Sequence, residues 1–119
     1  MSKRTDKEFL SDILEAVHRS RSYTAGMPCE GFLEDIETQD AVVRNLEVIG
    51  EAAKNLSAEI RGEHSTVPWQ SMAGVRDRLI RRYFGISLDV VWEIVNSELD
   101  TVASQVEQIV GAGIETGGA

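Results

Sequence analysis

The densest chemistry in the chain is one stretch, Ala73-Gly74-Val75-Arg76-Asp77-Arg78-Leu79-Ile80-Arg81-Arg82-Tyr83-Phe84-Gly85. Arg76, Arg78, Arg81 and Arg82 place four of the twelve basic side chains within seven residues. A guanidinium grips a phosphate through a forked pair of hydrogen bonds, and a tyrosine hydroxyl can donate to the same group or be modified. Arg76 and Tyr83 are seven residues apart, so on a continuous helix they share a face two turns apart. Asp77 can orient an arginine of its own chain or of a dimer mate. The plain alternative is that cations at a helix C-terminus complement its dipole, with Tyr83 an amphipathic residue at the core edge. On pattern alone that plain alternative carries more weight.

The rest of the composition limits what this patch can serve. Twenty acidic residues against twelve basic ones give a net charge of −8. That argues against broad, nonspecific binding of nucleic acid and leaves local phosphate recognition or docking of an acidic partner. Two histidines, His18 and His64, without supporting carboxylate spacing offer no metal site, and no cofactor is expected. The lone Cys29 excludes an internal disulfide and fits a reducing cytoplasm. No apolar run is long enough to span a membrane, and no apolar segment follows Lys3 and Arg4 as a secretory signal requires.

The elements that must hold the patch read as helices. Leu10, Ile13, Leu14 and Val17 recur at steps of three and four, which predicts a helix from about Asp6 to Tyr23, broken at Gly26-Met27-Pro28. A connector follows, with Phe32, Leu33 and Ile36 expected as plugs for the bundle end. Thr38 is the expected N-cap of a second helix, with Asp40 in its first turn. Its stripe is Val42, Leu46, Ile49, Ala53, Leu56 and Ile60, and Gly62 ends it. Gly50 inside that stripe suggests close approach of a neighbouring helix. Pro68 opens a third helix with Trp69, Met72, Val75 and Leu79 buried, ending at Tyr83-Phe84-Gly85. Ser87 caps a fourth, carrying Leu88, Trp92, Val95, Leu99, Val102, Val106 and Ile109. These elements predict an all-α fold, an up-and-down bundle of four to five helices. Residues 1–110 form its single domain and 111–119 a flexible Gly-rich tail. Two long apolar stripes also leave room for a homodimer.

Three phrases carry a family resemblance. They are Thr38-Gln39-Asp40-Ala41-Val42-Val43-Arg44-Asn45-Leu46-Glu47-Val48-Ile49-Gly50-Glu51-Ala52-Ala53-Lys54, then Val67-Pro68-Trp69, then Arg76 through Trp92. Over about residues 5–110 the chain resembles the HepT-like branch of the HEPN superfamily. The second-helix phrase is the most specific, because it includes polar positions that a core does not dictate. The resemblance implies a HEPN-like helical bundle and a metal-independent endoribonuclease toxin of a type VII, or MNT/HepT, toxin–antitoxin system. It implies an active site at or near a dimer interface. The family pattern is an arginine, a polar residue, three residues, a histidine, any residue and a tyrosine. It falls here on Arg76, Asp77, Arg81 at the histidine position, and Tyr83. Arg78 and Arg82 join Arg76 as expected RNA-phosphate contacts. The implied partner is an MNT-type nucleotidyltransferase antitoxin that transfers AMP to Tyr83.

Arg81 departs from that pattern. Cleaving RNA without a metal needs a proton taken from the 2′-hydroxyl, a proton given to the leaving oxygen, and charge stabilisation at phosphorus. Histidine transfers protons near neutral pH, whereas arginine stays protonated, its pKa lying above about 12. Losing such help costs about 100- to 10,000-fold in rate. Arg81 could still stabilise charge beside Arg76. The chain is therefore read as an impaired natural member, a toxin carrying an inactivating substitution, or, with least weight, one in which His18 or His64 has taken over. The alternative is a non-catalytic module that binds, and is modified by, a nucleotidyltransferase.

Overall fold

The computed structural model describes residues 4–81 and 85–112. α1 (Asp6–Thr24) starts with a capping box: the Thr5 side chain accepts from the Glu8 amide, and the Glu8 side chain accepts from the Thr5 amide. Its buried face is Leu10, Ile13, Ala16, Val17 and Ser20, close to the face the spacing predicts. α2 (Cys29–Leu33) is a single turn and more. Phe32 is its plug, fully buried and tilted against Trp92 with ring centroids 5.2 Å apart. Leu33 and Ile36 do not join it. Ile36 is 69% exposed because α3 begins there, and its first residue faces solvent.

α3 (Ile36–Asn55) is capped by Asp35 rather than Thr38. Asp35 accepts from the Thr38 amide at 3.0 Å and from the Thr38 hydroxyl at 2.8 Å, so Thr38 braces the cap from inside the first turn. These bonds, the amide's first, hold the Asp35 carboxyl below its ordinary value of 3.8. The helix stops at Leu56, short of the expected Gly62. Ser57 caps a separate α4 (Ala58–Glu63) and is itself gripped by Asp6 of α1, through its amide at 2.9 Å and its hydroxyl at 2.7 Å. Leu56 and Ile60 are buried on either side of this corner.

The predicted third helix is three pieces: α5 (Trp69–Ala73), α6 (Val75–Leu79) and a short strand β1 (Ile80–Arg81). β1 pairs antiparallel with β2 (Gly85–Ile86) in the register Ile80 with Ile86 and Arg81 with Gly85. Gly85 has φ +76, a left-handed conformation that glycine adopts without a Cβ penalty. The Ser87 amide then closes on the Leu79 carbonyl at 2.6 Å. The expectation of one continuous helix through residue 81 and on to Tyr83 is therefore corrected up to Arg81, and the expected face shared by Arg76 and Tyr83 lies outside the described residues. The helical ladder ends at Leu79, and strand pairing takes over the backbone groups of the next residues.

The fourth helix is α7 (Leu88–Glu93), a π-helical turn (Ile94–Glu98) and α8 (Leu99–Gly111). Val91, Ile94, Val95, Leu99, Val102, Ala103, Val106 and Ile109 are buried along it, while Trp92 is only partly so. Ser87 precedes α7 without a side-chain cap bond. The fold is an all-α bundle in which α1 lies along α3 and α8, and α5 and α6 close the other side of α3. Gly50 makes that last contact possible. A Cβ there would lie 2.9 Å from the Met72 carbonyl oxygen and 3.0 Å from Val75 Cγ1. No helix among the described residues is long and apolar enough to cross a membrane.

Candidate functional site

α6 presents its charged residues on different sides because neighbours two apart on a helix diverge by about 200°. Val75 and Leu79 are buried and fix the helix against the core. Arg78 then faces the π-helical turn. Its guanidinium donates to both Glu98 carboxylate oxygens, at 3.1 and 2.8 Å, and to the Ser71 hydroxyl at 3.1 Å. The fork with Glu98 holds Arg78 above its already high ordinary pKa, with partial burial opposing that rise. Of the arginines expected to bind phosphate, Arg78 thus has its donors occupied by a neighbouring helix.

Arg76 faces the other way, towards α3. Its side chain is 72% exposed, and among the described residues it makes one loose ion pair, 3.7 Å from Glu47. Asp77 is exposed beside it. Of Arg81 only the backbone is described, in β1. Arg82 and Tyr83 lie outside the described residues. The hairpin brings β2 and the start of α7 against α3, leaving a shallow cleft of about 420 Å³ lined by Gln39, Asp40, Val43, Arg44, Glu47, Ile86 and Leu88. Glu47 is shared by the cleft and the Arg76 ion pair. The sequence reading missed Glu47 and Arg44 as site neighbours. Their signal was available in the α3 phrase, where both are polar positions of a specific motif.

The two histidines sit elsewhere. His18 Nε2 lies 3.8 Å from Glu107 of α8, and the His64 carbonyl accepts from the Trp69 indole at 2.9 Å. Cys29 is exposed at the start of α2. Among the described residues, no group of three or more His, Cys, Asp or Glu side chains is placed to hold a metal ion.

Comparison with known proteins gives a consistent result. The family model described as Ribonuclease HepT-like matches residues 13–109. A Methanocaldococcus jannaschii protein named as a candidate RNase is 42% identical over 110 residues, covering 92% of this chain and 91% of its own length. The Probable ribonuclease HepT of Thermococcus cleftensis is 39% identical over 107 residues, covering 90% and 97%. A candidate RNase of Caldanaerobacter subterraneus is 40% identical over 106 residues, covering 89% and 95%. No solved structure matches. With a helical bundle that presents Arg76 beside an open cleft, and a family match over most of its length, this chain belongs to the HepT-like ribonuclease family.

Proposed function

We propose that this chain is the toxin of an MNT/HepT pair, an RNA-directed homodimer of the cytoplasm whose cleavage activity is weakened by Arg81. The observation that carries the reading is the contrast between two arginines on one short helix. Arg78 is committed to Glu98 at 2.8 Å, while Arg76, the family's motif arginine, stays exposed with one 3.7 Å ion pair among the described residues. A phosphate that approaches Arg76 meets donors that cost little to release. Arg76 would stabilise charge at phosphorus as the 2′-oxygen, its proton passing to water, bonds to phosphorus and the 5′-oxygen leaves with a proton taken from water. Asp77 is proposed to orient that arginine, with Arg82 as a further phosphate contact. Arg81, fixed in its charge, supplies a second cation and no proton transfer.

The test is induced expression of this chain and of Arg81→His, with growth and RNA integrity followed together. Restoring the histidine is expected to raise cleavage by about 100- to 10,000-fold, and Arg76→Ala should abolish it. A histidine variant that leaves both growth and RNA untouched sinks the proposal.

A second reading is favoured by the same Arg81. The chain would act as a binding module, modified at Tyr83 by a nucleotidyltransferase that moves AMP from ATP to the phenolic oxygen with release of pyrophosphate. Intact mass after incubation with an MNT-type enzyme and ATP decides it. An AMP adduct lost in Tyr83→Phe supports it, and the absence of both adduct and complex refutes it.

A further inference from the structure

We infer that the cleft between α3 and the β2–α7 junction is a subsite for one nucleotide of single-stranded RNA, with Arg44 as its phosphate contact. The inference rests on the RNA-directed reading above and adds a site to it. Arg44 lines the cleft from an exposed position on α3 and, among the described residues, makes no ion pair. Among those residues Arg4, Arg19, Arg21, Arg76 and Arg78 face carboxylates, whereas Arg44 and Arg61 do not, and of these two it is Arg44 that shares a cleft with Glu47, the partner of Arg76. Arg44 stands one turn before Glu47, and Glu47 touches Arg76 at 3.7 Å, so the cleft opens directly beside the motif arginine.

The remaining lining explains the size of the ligand. Val43, Ile86 and Leu88 give an apolar surface against which the flat face of a base can lie. Glu47, released once a phosphate takes Arg76, bounds the cleft at that end, and Asp40 stands one turn before Arg44 at the other. Its carboxylate repels a second phosphate, which limits the subsite to a single nucleotide. The volume, about 420 Å³, lies towards the small end of ligand pockets. A strand whose reacting phosphate sits at Arg76 would thus have an adjacent phosphate at Arg44 and the intervening base on the cleft floor.

The experiment measures fluorescence anisotropy of a labelled single-stranded RNA, roughly eight nucleotides long, a typical length for single-strand sites. Its riboses carry 2′-O-methyl groups, so binding is read without cleavage. The unaltered chain is compared with Arg44→Ala, Arg44→Lys, Ile86→Ala and Arg76→Ala over a salt series. Arg19→Ala serves as the control for net charge, since Arg19 pairs with Glu15 along α1. Arg44→Ala is expected to weaken binding about tenfold and to lower the logarithmic salt slope by about 0.7, the loss of one phosphate contact. Arg44→Lys should restore much of the slope, Ile86→Ala should weaken binding with the slope unchanged, and Arg19→Ala should change neither. If Arg44→Ala matches the unaltered chain while Arg76→Ala weakens binding, the subsite is wrong and the RNA-directed reading stands. Absence of binding by the unaltered chain also overturns the subsite. It overturns the RNA-directed reading only if the Arg81→His chain leaves RNA uncut as well.

Discussion

Gly50→Ala tests the packing that holds α5 and α6 on α3. An added Cβ would sit 2.9 Å from the Met72 carbonyl oxygen and 3.0 Å from Val75 Cγ1. Neither neighbour can swing aside. The Met72 carbonyl already accepts from the Gly74 amide at the end of α5, and Val75 is buried. The α5–α6 junction must therefore retreat by about half an ångström, and overpacking of this kind costs about 1–3 kcal/mol. Alanine regains about 1 kcal/mol of helix propensity in the middle of α3. The net expectation is a loss of about 1 kcal/mol, or about 3–6 °C in melting temperature for a domain of this size. Gly62→Ala is the matched control, because its Cβ would meet nothing within 4 Å inside α4. It should stabilise the fold by up to about 1 kcal/mol. Urea unfolding followed by circular dichroism reads both, and the slope with denaturant should stay constant if only the native packing changes. A Gly50→Ala protein as stable as the unaltered chain, or more so, would refute this account of the contact.

Other perturbations probe the joints around the site. Glu98→Gln breaks the fork on Arg78; with both side chains partly exposed, urea unfolding should show a loss of about 0.5–1 kcal/mol that shrinks in high salt. Asp6→Ala removes the carboxylate that grips Ser57, and a loss of about 0.5–2 kcal/mol is expected in the same assay, the range for a lost cap. Asp35→Ala should show its effect through pH. The Asp35 carboxyl titrates lower in the folded chain than its ordinary 3.8, so its contribution is present above that value and fades as pH falls through the folded one. The stability gap between Asp35→Ala and the unaltered chain should therefore be full near neutrality and close on strong acidification.

Local periodicity made much of this fold legible. The apolar spacing of Leu10, Ile13 and Val17 predicts α1 within a residue of its observed end, and the α3 stripe predicts the face that Gly50 interrupts. What periodicity does not carry is where a helix axis turns. The corner at Leu56 and Ser57 depends on Asp6, 51 residues away in sequence. Val75 and Leu79 mark a buried face whether the ladder ends at Leu79 or runs on, so they could not announce the hairpin. Its stronger local sign was Gly85, read as a helix terminator when it is the left-handed residue at the start of β2. The site was legible in the same uneven way. Arg76 and Arg78 look like one basic cluster along the chain, yet they serve opposite sides of α6, one towards Glu47 and the other bound to Glu98. Arg44 was visible only as part of a family phrase, because its nearness to the motif is created by the packing of α3 on the hairpin.

The π-helical turn at Ile94–Glu98 has a bearing on how the molecule opens. Its wider hydrogen-bonded rings hold less well than the α-helical ladder on either side, so it forms a seam in the fourth helix. On one side α8 stays fastened to α1. On the other, α7 rests on α2, α3 and α6 through fewer buried side chains. Local unfolding that begins at the seam would release the wall of the cleft while the rest of the bundle keeps its protection against amide exchange. On the reading proposed above, a strand bound in the cleft would hold that wall closed and raise its protection.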